Sequence, residues 1–167
     1  MNIRPTPDPV NDGQESVWDY PRPPATRACE KTVRIEFAGK LLAETRSAFC
    51  ILETSHPPNY YLPPADVDMS MLVPSEGRSS FCEWKGAASY YDVVRDSEIA
   101  TAAGWCYPNP VERYSEIRNF LCFYAGAMQA CYVDDELVIP QPGGFYGGWI
   151  TSSVAGPFKG APGTGHW

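Results

Sequence analysis

Two side chains with reactive chemistry, Cys82 and Lys85, stand three residues apart in the segment FCEWKG, next to Trp84. A nearby ammonium group favours the thiolate of cysteine, which is its reactive form. Only four lysines occur in the chain, and Lys85 alone lies among many aromatic residues and cysteines. An enzyme that uses Cys82 or Lys85 as nucleophile or acid–base group is therefore one hypothesis. The competing interpretation makes Lys85 an exposed hairpin residue and Cys82 a core residue, because most cysteines in apolar strands are unreactive.

Glu53 is a second candidate, because it ends the apolar run AFCIL. A carboxylate at this position is either solvated at the rim of a sheet or paired inside a cleft, since an unpaired buried charge is too costly. Its partner inside a cleft would be Lys85 or Arg46, although Arg46 can instead lie on the surface. We predict that Lys85, Glu53 and Arg46 converge on one concavity.

Aromatic residues surround these charges in the sequence. Ligand pockets usually have apolar and aromatic walls with a few polar groups, but large rings also fill the cores of β proteins. We expect at least half of the rings to be core residues. The predicted ligand-binding set is Arg46, Glu53, Tyr61, Trp84, Lys85, Tyr91 and Trp105, while Tyr60, Tyr90 and Tyr107 are further rings that could line the pocket. His56, which precedes Pro57-Pro58, is predicted to be an exposed loop residue, and no histidine nearby in sequence supports a Cys–His catalytic pair.

Six cysteines stand at positions 29, 50, 82, 106, 122 and 131, and none belongs to a C-x-x-C pair. This spacing, in a chain whose N-terminus shows no apolar signal segment, does not indicate a disulfide framework. We expect all six thiols to be reduced, with Cys50, Cys122 and Cys131 in apolar core strands. The paired cysteines of a zinc site are missing too, so we predict no metal and no cofactor.

The bulk properties limit the class of protein. A chain of 167 residues with 44% hydrophobic and 20% charged residues has the size and composition of one globular domain. Its net charge of −7 argues against nucleic acid and anionic membranes as partners, because both would repel it. No run approaches the roughly twenty apolar residues of a membrane helix, and we predict a cytoplasmic protein.

The elements that position these residues are predicted to be antiparallel strands joined by short turns. The segment TVRIEF (32–37) alternates apolar and polar residues with the period of a half-buried strand. The segment SSFCEWKGAASYYDVV predicts two strands joined near Lys85-Gly86, and FLCFYAG and MQACYVDDELV predict the last two. A helical turn is expected within 65–72 and a short helix in VERYSEI (111–117). The alternation of strands and helices that builds a parallel sheet is absent.

Two terminal arms flank the predicted core. Residues 1–31 form an extended Pro-rich N-terminal arm, 32–142 the core domain and 143–167 a Gly-rich, aromatic C-terminal arm. Ordering a Gly-rich segment costs roughly 1–2 kcal/mol per residue, yet this one carries Phe145, Trp149 and Phe158. We expect the C-terminal arm to be ordered and to bury these rings on its own domain or on a second copy. A homodimer through residues 143–167 is the arrangement we favour, because a two-fold pair buries both arms reciprocally.

Four segments in this order resemble one family: VRIEFAGKLLAETRSAFCILETSHPPNYYLPPADV, FCEWKGAASYYDV, GWCYPNPVERYSEIRNFLCFYAG and GGFYGGWITSSVAGPFKGAPGTG. They resemble the bacterial family called domain of unknown function 427, over roughly residues 18–167. The resemblance implies a mainly β fold, an antiparallel folded sheet of the β-tent type with one or two short helices. The same fold occurs in methionine-R-sulfoxide reductases and in the thalidomide-binding domain of cereblon. The family is also labelled nucleotidyltransferase-like, but the chain has no Gly-rich loop that leads from a strand into a helix to hold phosphates.

Three hypotheses about function follow. The first is a β-tent domain that binds an unknown small molecule in an aromatic-lined pocket with charged groups. The second is the enzyme that uses Cys82 or Lys85. The third is an assembly protein that acts through its C-terminal arm.

Overall fold

The computed structural model describes residues 3–167. Strands make up 44% of the structure and helical segments 11%. The strands are β1 (Glu15–Ser16), β2 (Ala25–Ala28), β3 (Val33–Phe37), β4 (Lys40–Thr45), β5 (Phe49–Leu52), β6 (Asn59–Tyr61), β7 (Leu72–Cys82), β8 (Gly86–Arg95), β9 (Glu98–Cys106), β10 (Cys122–Phe123), β11 (Ala130–Val133), β12 (Glu136–Leu137), β13 (Ile139–Pro140), β14 (Trp149–Ile150) and β15 (Val154–Ala155). Short 3-10 helices span Val17–Asp19, Pro64–Asp66, Met69–Met71, Glu112–Ile117 and Ala125–Ala127. None of the helical segments in residues 3–167 has the length and apolarity needed to cross a membrane.

The strands form three main sheets. The long sheet has the order β10-β9-β8-β7, the outer sheet the order β12-β11-β3-β4 and the short sheet the order β2-β5-β6. All pairs within them are antiparallel. Two small sheets add the antiparallel pair β13–β14 and the parallel pair β1–β15. The predicted mainly β, antiparallel fold is confirmed. In place of the one or two short helices expected, residues 3–167 contain five short 3-10 segments.

The outer sheet shows why the alternating segments become strands. Val33, Ile35 and Phe37 of β3 are buried and the residues between them are half-buried, so one face of the strand packs on the core. The turn into β4 has positive φ angles of 50° at Ala38 and 77° at Gly39. Two consecutive left-handed residues make the tight hairpin whose twist suits the flanking strands.

The strand β9 is the main element that the sequence does not predict. Both of its faces are covered at its C-terminal end, where Trp105 and Cys106 are buried in different clusters. A strand covered on both faces loses the apolar–polar alternation by which strands are recognised. The sheet is also irregular opposite this strand: the pairing register shifts between Tyr91 and Val93, and Asp92 Oδ1 accepts a 2.7 Å hydrogen bond from the Ala102 N–H.

Two hydrophobic clusters lie on opposite sides of the short sheet. The main core contains Cys50 and Leu52 of β5 together with Tyr60 of β6. The smaller cluster contains Ile51 and Tyr61 from the same two strands. Because successive residues of a strand point to opposite faces, neighbouring residues of β5 and β6 belong to different compartments.

The terminal arms pack on the domain in this structure. In the N-terminal arm, β1 pairs with β15 and β2 joins the short sheet. In the C-terminal arm, Trp149 is fully buried and Phe158 is half-buried. The predicted burial of Phe145 is wrong: it is 73% exposed, because it follows the two left-handed glycines of the turn at 143–144. The homodimer through residues 143–167 stays a prediction that a mass measurement in solution tests.

We expect Trp149→Ala to lower the free energy of unfolding by about 3–5 kcal/mol, the usual cost of deleting a large buried ring. Trp149 is fully buried, stacks on Tyr60 with 5.1 Å between ring centroids and donates from Nε1 to the Phe123 carbonyl at 2.9 Å. Urea denaturation provides the measurement. The matched control in the same arm is Phe145→Ala, which should change stability by less than about 0.5 kcal/mol. Equal effects of the two variants would contradict a docked arm.

Candidate functional site

A cavity of about 270 Å³ opens between the short sheet and the long sheet. Its walls are formed by Ile51, Glu53, His56, Asn59, Tyr61, Ser80, Phe81, Cys82, Glu83, Trp84, Lys85, Tyr90, Trp105, Tyr107, Tyr124, Phe145 and Tyr146. The cavity therefore combines a set of aromatic rings with a lysine, two carboxylates, a histidine and a cysteine. It rests on the smaller hydrophobic cluster, which supplies Ile51, Tyr61, Trp105 and Tyr107.

The strand period brings the first wall together. Ile51 of β5 pairs with Asn59 of β6, and paired residues of neighbouring strands point to the same face. Glu53 and Tyr61 lie two residues further along the chain and share that face. The short sheet thus presents one apolar, one aromatic and two polar side chains to the cavity.

The second wall comes from the long sheet. Tyr90 of β8 pairs with Trp105 of β9, which pairs with Cys122 of β10. The Trp105 ring lies 6.3 Å from the Tyr90 ring and 4.7 Å from the Tyr124 ring, measured between centroids. These three rings line the cavity side by side, so an apolar or aromatic ligand would find a preformed contact surface.

Lys85 lies in the turn between β7 and β8, and its side chain is turned inward. Its carbonyl accepts a 3.0 Å hydrogen bond from the Val111 N–H, which fixes the turn against the following loop. Lys85 is only 8% exposed, and its Nζ lies 5.6 Å from the centroid of the Tyr107 ring. No carboxylate of residues 3–167 lies within 4.0 Å of Nζ. The interpretation of Lys85 as an exposed hairpin residue is therefore wrong.

Glu53 is paired with other residues than those predicted. Its Oε2 lies 3.7 Å from Arg22 Nε and 3.5 Å from His56 Nε2. Both contacts use the same oxygen, so within the described part of the chain Oε1 has no charged partner. Arg22 comes from the N-terminal arm, 31 residues before Glu53, and a contact over this separation leaves no signal in the local sequence.

His56 is buried, with 6% of its surface exposed, so its prediction as an exposed loop residue is wrong. Gln141 Nε2 donates to His56 Nδ1 at 3.0 Å and to the Lys159 carbonyl at 2.8 Å, while Gln141 Oε1 accepts from the Gly148 N–H. Because Nδ1 accepts, the proton of the neutral ring is on Nε2 and faces Glu53. Burial, reinforced by the positive charges of Lys159, Arg22 and Lys85, lowers the pKa of His56 to about 3.

Tyr61 supplies a buried polar group at the base of the cavity. The residue is fully buried, and among residues 3–167 its hydroxyl is the one buried side-chain polar atom without a hydrogen-bond partner. Burial raises the pKa of Tyr61 far above its ordinary value, so the hydroxyl keeps its proton. An unsatisfied buried hydroxyl costs about 1–3 kcal/mol, and because such groups are rare in native proteins, this one marks the cavity as a candidate site.

The C-terminal arm closes the cavity. The Tyr146 ring meets the His56 ring edge-on at 4.6 Å between centroids, and its carbonyl accepts a 3.3 Å hydrogen bond from Asn59 Nδ2. Tyr124 donates from its hydroxyl to the Phe145 carbonyl at 2.9 Å. Gly147 then lies so close to the rings that a β-carbon there would be 2.5 Å from Trp105 Cη2.

The structure brings most of the predicted site residues together. Those that line the cavity are Glu53, Tyr61, Trp84, Lys85 and Trp105, together with the catalytic candidate Cys82. Arg46 and Tyr91 do not reach it. Arg46 is exposed just after β4, and Tyr91 follows Tyr90 on β8, so it points to the opposite face and packs on the main core.

Several residues of the cavity wall were not predicted from the sequence to line it. Asn59 could have been found, because it lies two residues before Tyr61 on the same strand. Tyr146 and His56 could not, since their positions depend on the docking of the C-terminal arm. As for metals, residues 3–167 contain no cluster of three or more histidine, cysteine, aspartate or glutamate side chains that could hold an ion.

Comparison with known proteins identifies a family. Residues 25–134 match the family described as Domain of unknown function (DUF427). No curated protein matches the chain. The matched segment contains the wall residues from Ile51 to Tyr124, whereas Phe145 and Tyr146 come from the arm that follows it.

We expect Gly147→Ala to cost about 1–3 kcal/mol more than Gly144→Ala, because its methyl group collides with the rings of Trp105 and Tyr124. Both glycines have positive φ angles, 81° and 73°, so the backbone strain of the two variants is comparable, and a β-carbon at Gly144 meets nothing within 4 Å. Urea denaturation measures the difference. Equal costs would show that the arm does not press against Trp105.

The buried His56 predicts a pH dependence of stability. Its pKa is about 3 in the folded protein, against roughly 6.5 in an unfolded chain, so only the unfolded state takes up the proton between these values. The contribution of His56 to the free energy of unfolding is therefore constant above pH 6.5. Below pH 6.5 it falls by about 1.4 kcal/mol per pH unit.

His56→Asn keeps an acceptor for Gln141 and should remove this part of the slope between pH 6.5 and 5. Chemical denaturation at several pH values provides the measurement. The control variant His166→Asn, at an exposed position, should keep the slope of the wild type. Parallel pH profiles for the wild type and His56→Asn would contradict a neutral, buried His56.

Proposed function

We propose that this chain, which belongs to the family described as Domain of unknown function (DUF427), binds a small molecule that carries an anionic group and an apolar or aromatic body. The ligand would occupy the cavity between the short and long sheets. Lys85 would hold the anionic group, and the rings of Trp105, Tyr90 and Tyr124 would contact the body.

The observation that carries the proposal is the state of Lys85. Lys85 is only 8% exposed as a residue, and a buried charge is tolerated when it is paired. Within residues 3–167 its one charge-stabilising contact is the face of the Tyr107 ring at 5.6 Å, which contributes on the order of 2 kcal/mol when desolvated. An anion in the cavity would supply the partner that the protein itself does not provide.

The size and lining of the cavity limit the ligand further. A volume of about 270 Å³ lies just below the usual range of ligand pockets, roughly 300–1,000 Å³, so a compact molecule with a single ring system fits best. Asn59, the free Oε1 of Glu53 and the hydroxyl of Tyr61 are polar groups of the same walls. They would select ligands with hydrogen-bonding groups on the ring.

The enzyme hypothesis has one supporting observation, because Cys82 and Lys85 line the same cavity. The histidine of this cavity does not support acid–base chemistry: with a pKa of about 3, His56 stays neutral near pH 7, whereas an efficient acid–base group titrates near the working pH. Binding is therefore the function we favour. The assembly hypothesis rests on the C-terminal arm, whose Trp149 is already buried within the chain.

The proposed setting is the cytoplasm of a bacterial cell, where thiols stay reduced. The six cysteines are free, which suits that compartment. The net charge of −7 argues against nucleic acid or an anionic membrane surface as the partner, whereas a small anion would interact mainly with the local charge of Lys85.

The test compares matched probes. We expect phenylacetate and indole-3-acetate to bind about 10- to 100-fold more tightly than phenylacetamide and indole-3-acetamide, because a charge-assisted hydrogen bond contributes about 1.5–3 kcal/mol. Lys85→Met should abolish this preference and should not lower the melting temperature, since methionine packs on Tyr107 without a charge. Calorimetry and chemical-shift changes of the cavity residues provide the measurements.

Lys40→Met is the matched control, because Lys40 pairs with Asp68 at 2.9 Å and does not line the cavity. It should keep the preference for the carboxylates. Equal affinity of acid and amide for the wild type would contradict Lys85 as the anchor, and no binding of any probe at millimolar concentration would contradict the proposal for compact aromatic anions.

A further inference from the structure

We propose that Cys29 and Cys50 form an oxidisable dithiol, in which a peroxide converts Cys29 to a sulfenic acid and Cys50 then closes a disulfide. The pair lies on the face of the short sheet that points away from the cavity between the sheets. The proposal is therefore independent of the proposed ligand.

The register of β2 and β5 brings the two thiols together. Arg27 is paired with Cys50, and the Cys29 N–H donates a 2.8 Å hydrogen bond to the Ala48 carbonyl. Cys29 lies two residues after Arg27, so it shares the face of Arg27 and is the diagonal neighbour of Cys50. Cys50 belongs to the main core and Cys29 packs against the same core, so both thiols lie on this side of the short sheet.

A peroxide can reach one member of the pair. Cys29 is half-buried, whereas Cys50 is only 7% exposed behind it. Both line a second cavity of about 540 Å³, to which Arg27, Lys31 and Tyr60 also contribute. This accessible outer thiol and shielded inner thiol match the division of roles between an attacking and a resolving cysteine.

The electrostatics assign the same roles. The neighbouring Cys50 thiol, assisted by the backbone and charge of Lys31 and opposed by burial, lowers the pKa of Cys29 to about 7. The neighbouring Cys29 thiol and burial raise the pKa of Cys50 well above its ordinary value. Near neutral pH a large fraction of Cys29 is thus thiolate, the nucleophilic form, while Cys50 retains its proton.

The chemistry balances with hydrogen peroxide as the oxidant. The Cys29 thiolate attacks one peroxide oxygen, the O–O bond breaks, and the departing hydroxide takes up a proton to give water. Cys50 then loses its proton and its sulfur attacks the Cys29 sulfur, the S–O bond breaks, and a second water forms. Two thiols are oxidised by two electrons in total, and a small dithiol such as dithiothreitol reverses the reaction.

The test treats the full-length wild type with one equivalent of hydrogen peroxide at pH 7. We expect the loss of two of the six thiols, a mass lower by two hydrogens, and a disulfide between the tryptic peptides 28–31 and 47–78. Dithiothreitol should restore both thiols. Cys82→Ser is the control for general thiol oxidation and should form the same linked peptides.

Two variants separate the steps. Cys50→Ser should stop at the sulfenic acid, which dimedone traps on peptide 28–31, and Cys29→Ser should form neither product. Because the linked peptides are sought in the wild type, misfolding of a variant leaves the main test intact. A wild type that keeps six thiols, gains only oxygen, or links other cysteines overturns the proposal.

Discussion

The two-residue period of β5 and β6 is the constraint on which the rest of the structure depends. These strands form a partition with a different environment on each side: Cys50, Leu52 and Tyr60 face the main core, and Ile51 and Tyr61 face the smaller cluster and the cavity. A shift of the register by one residue would exchange the two sets and place the carboxylate of Glu53 against the core. The composition of the cavity wall therefore depends on the register of the short sheet.

The charge distribution of the cavity follows from this partition. The positive charges of Lys159, Arg22 and Lys85 all lower the pKa of His56, while Glu53 Oε2 lies 3.5 Å from His56 Nε2. Glu53 compensates part of this positive charge through Arg22, and Glu83 is exposed to solvent. Among residues 3–167 no carboxylate lies within 4.0 Å of the Lys85 ammonium, and this is the charge that the proposed anionic ligand would pair.

Several strands and two polar groups of the cavity, Glu53 and Lys85, could be predicted from local patterns, but the partners of these groups could not. The alternation around Ile35 indicates β3, and the end of an apolar run marks Glu53, because both signals depend only on neighbours in sequence. The prediction correctly places Lys85 among the rings. The hydrogen bond from Val111 to the Lys85 carbonyl joins residues 26 positions apart, so local sequence patterns could not predict it. Arg46 and Tyr91 were wrongly predicted to line the cavity, because only their residue types suggested this role. Arg46 lies in an exposed turn, and Tyr91 lies on the face of β8 that packs on the main core.

The cavity is built from both sides of the predicted boundary at residue 142, because the C-terminal arm contributes Phe145 and Tyr146 to its walls. An ordered Gly-rich segment loses roughly 1–2 kcal/mol per residue of backbone entropy, and burial of Trp149 together with the strand pairs β13–β14 and β1–β15 offsets part of that cost. The docked arm places Gly147 against Trp105 and packs Tyr146 edge-on against His56. The matched family segment, residues 25–134, ends before the arm. Since Phe145 and Tyr146 of the arm line the cavity, the arm would limit the size of the proposed ligand, while Lys85 of the matched segment would supply the charge that this ligand complements.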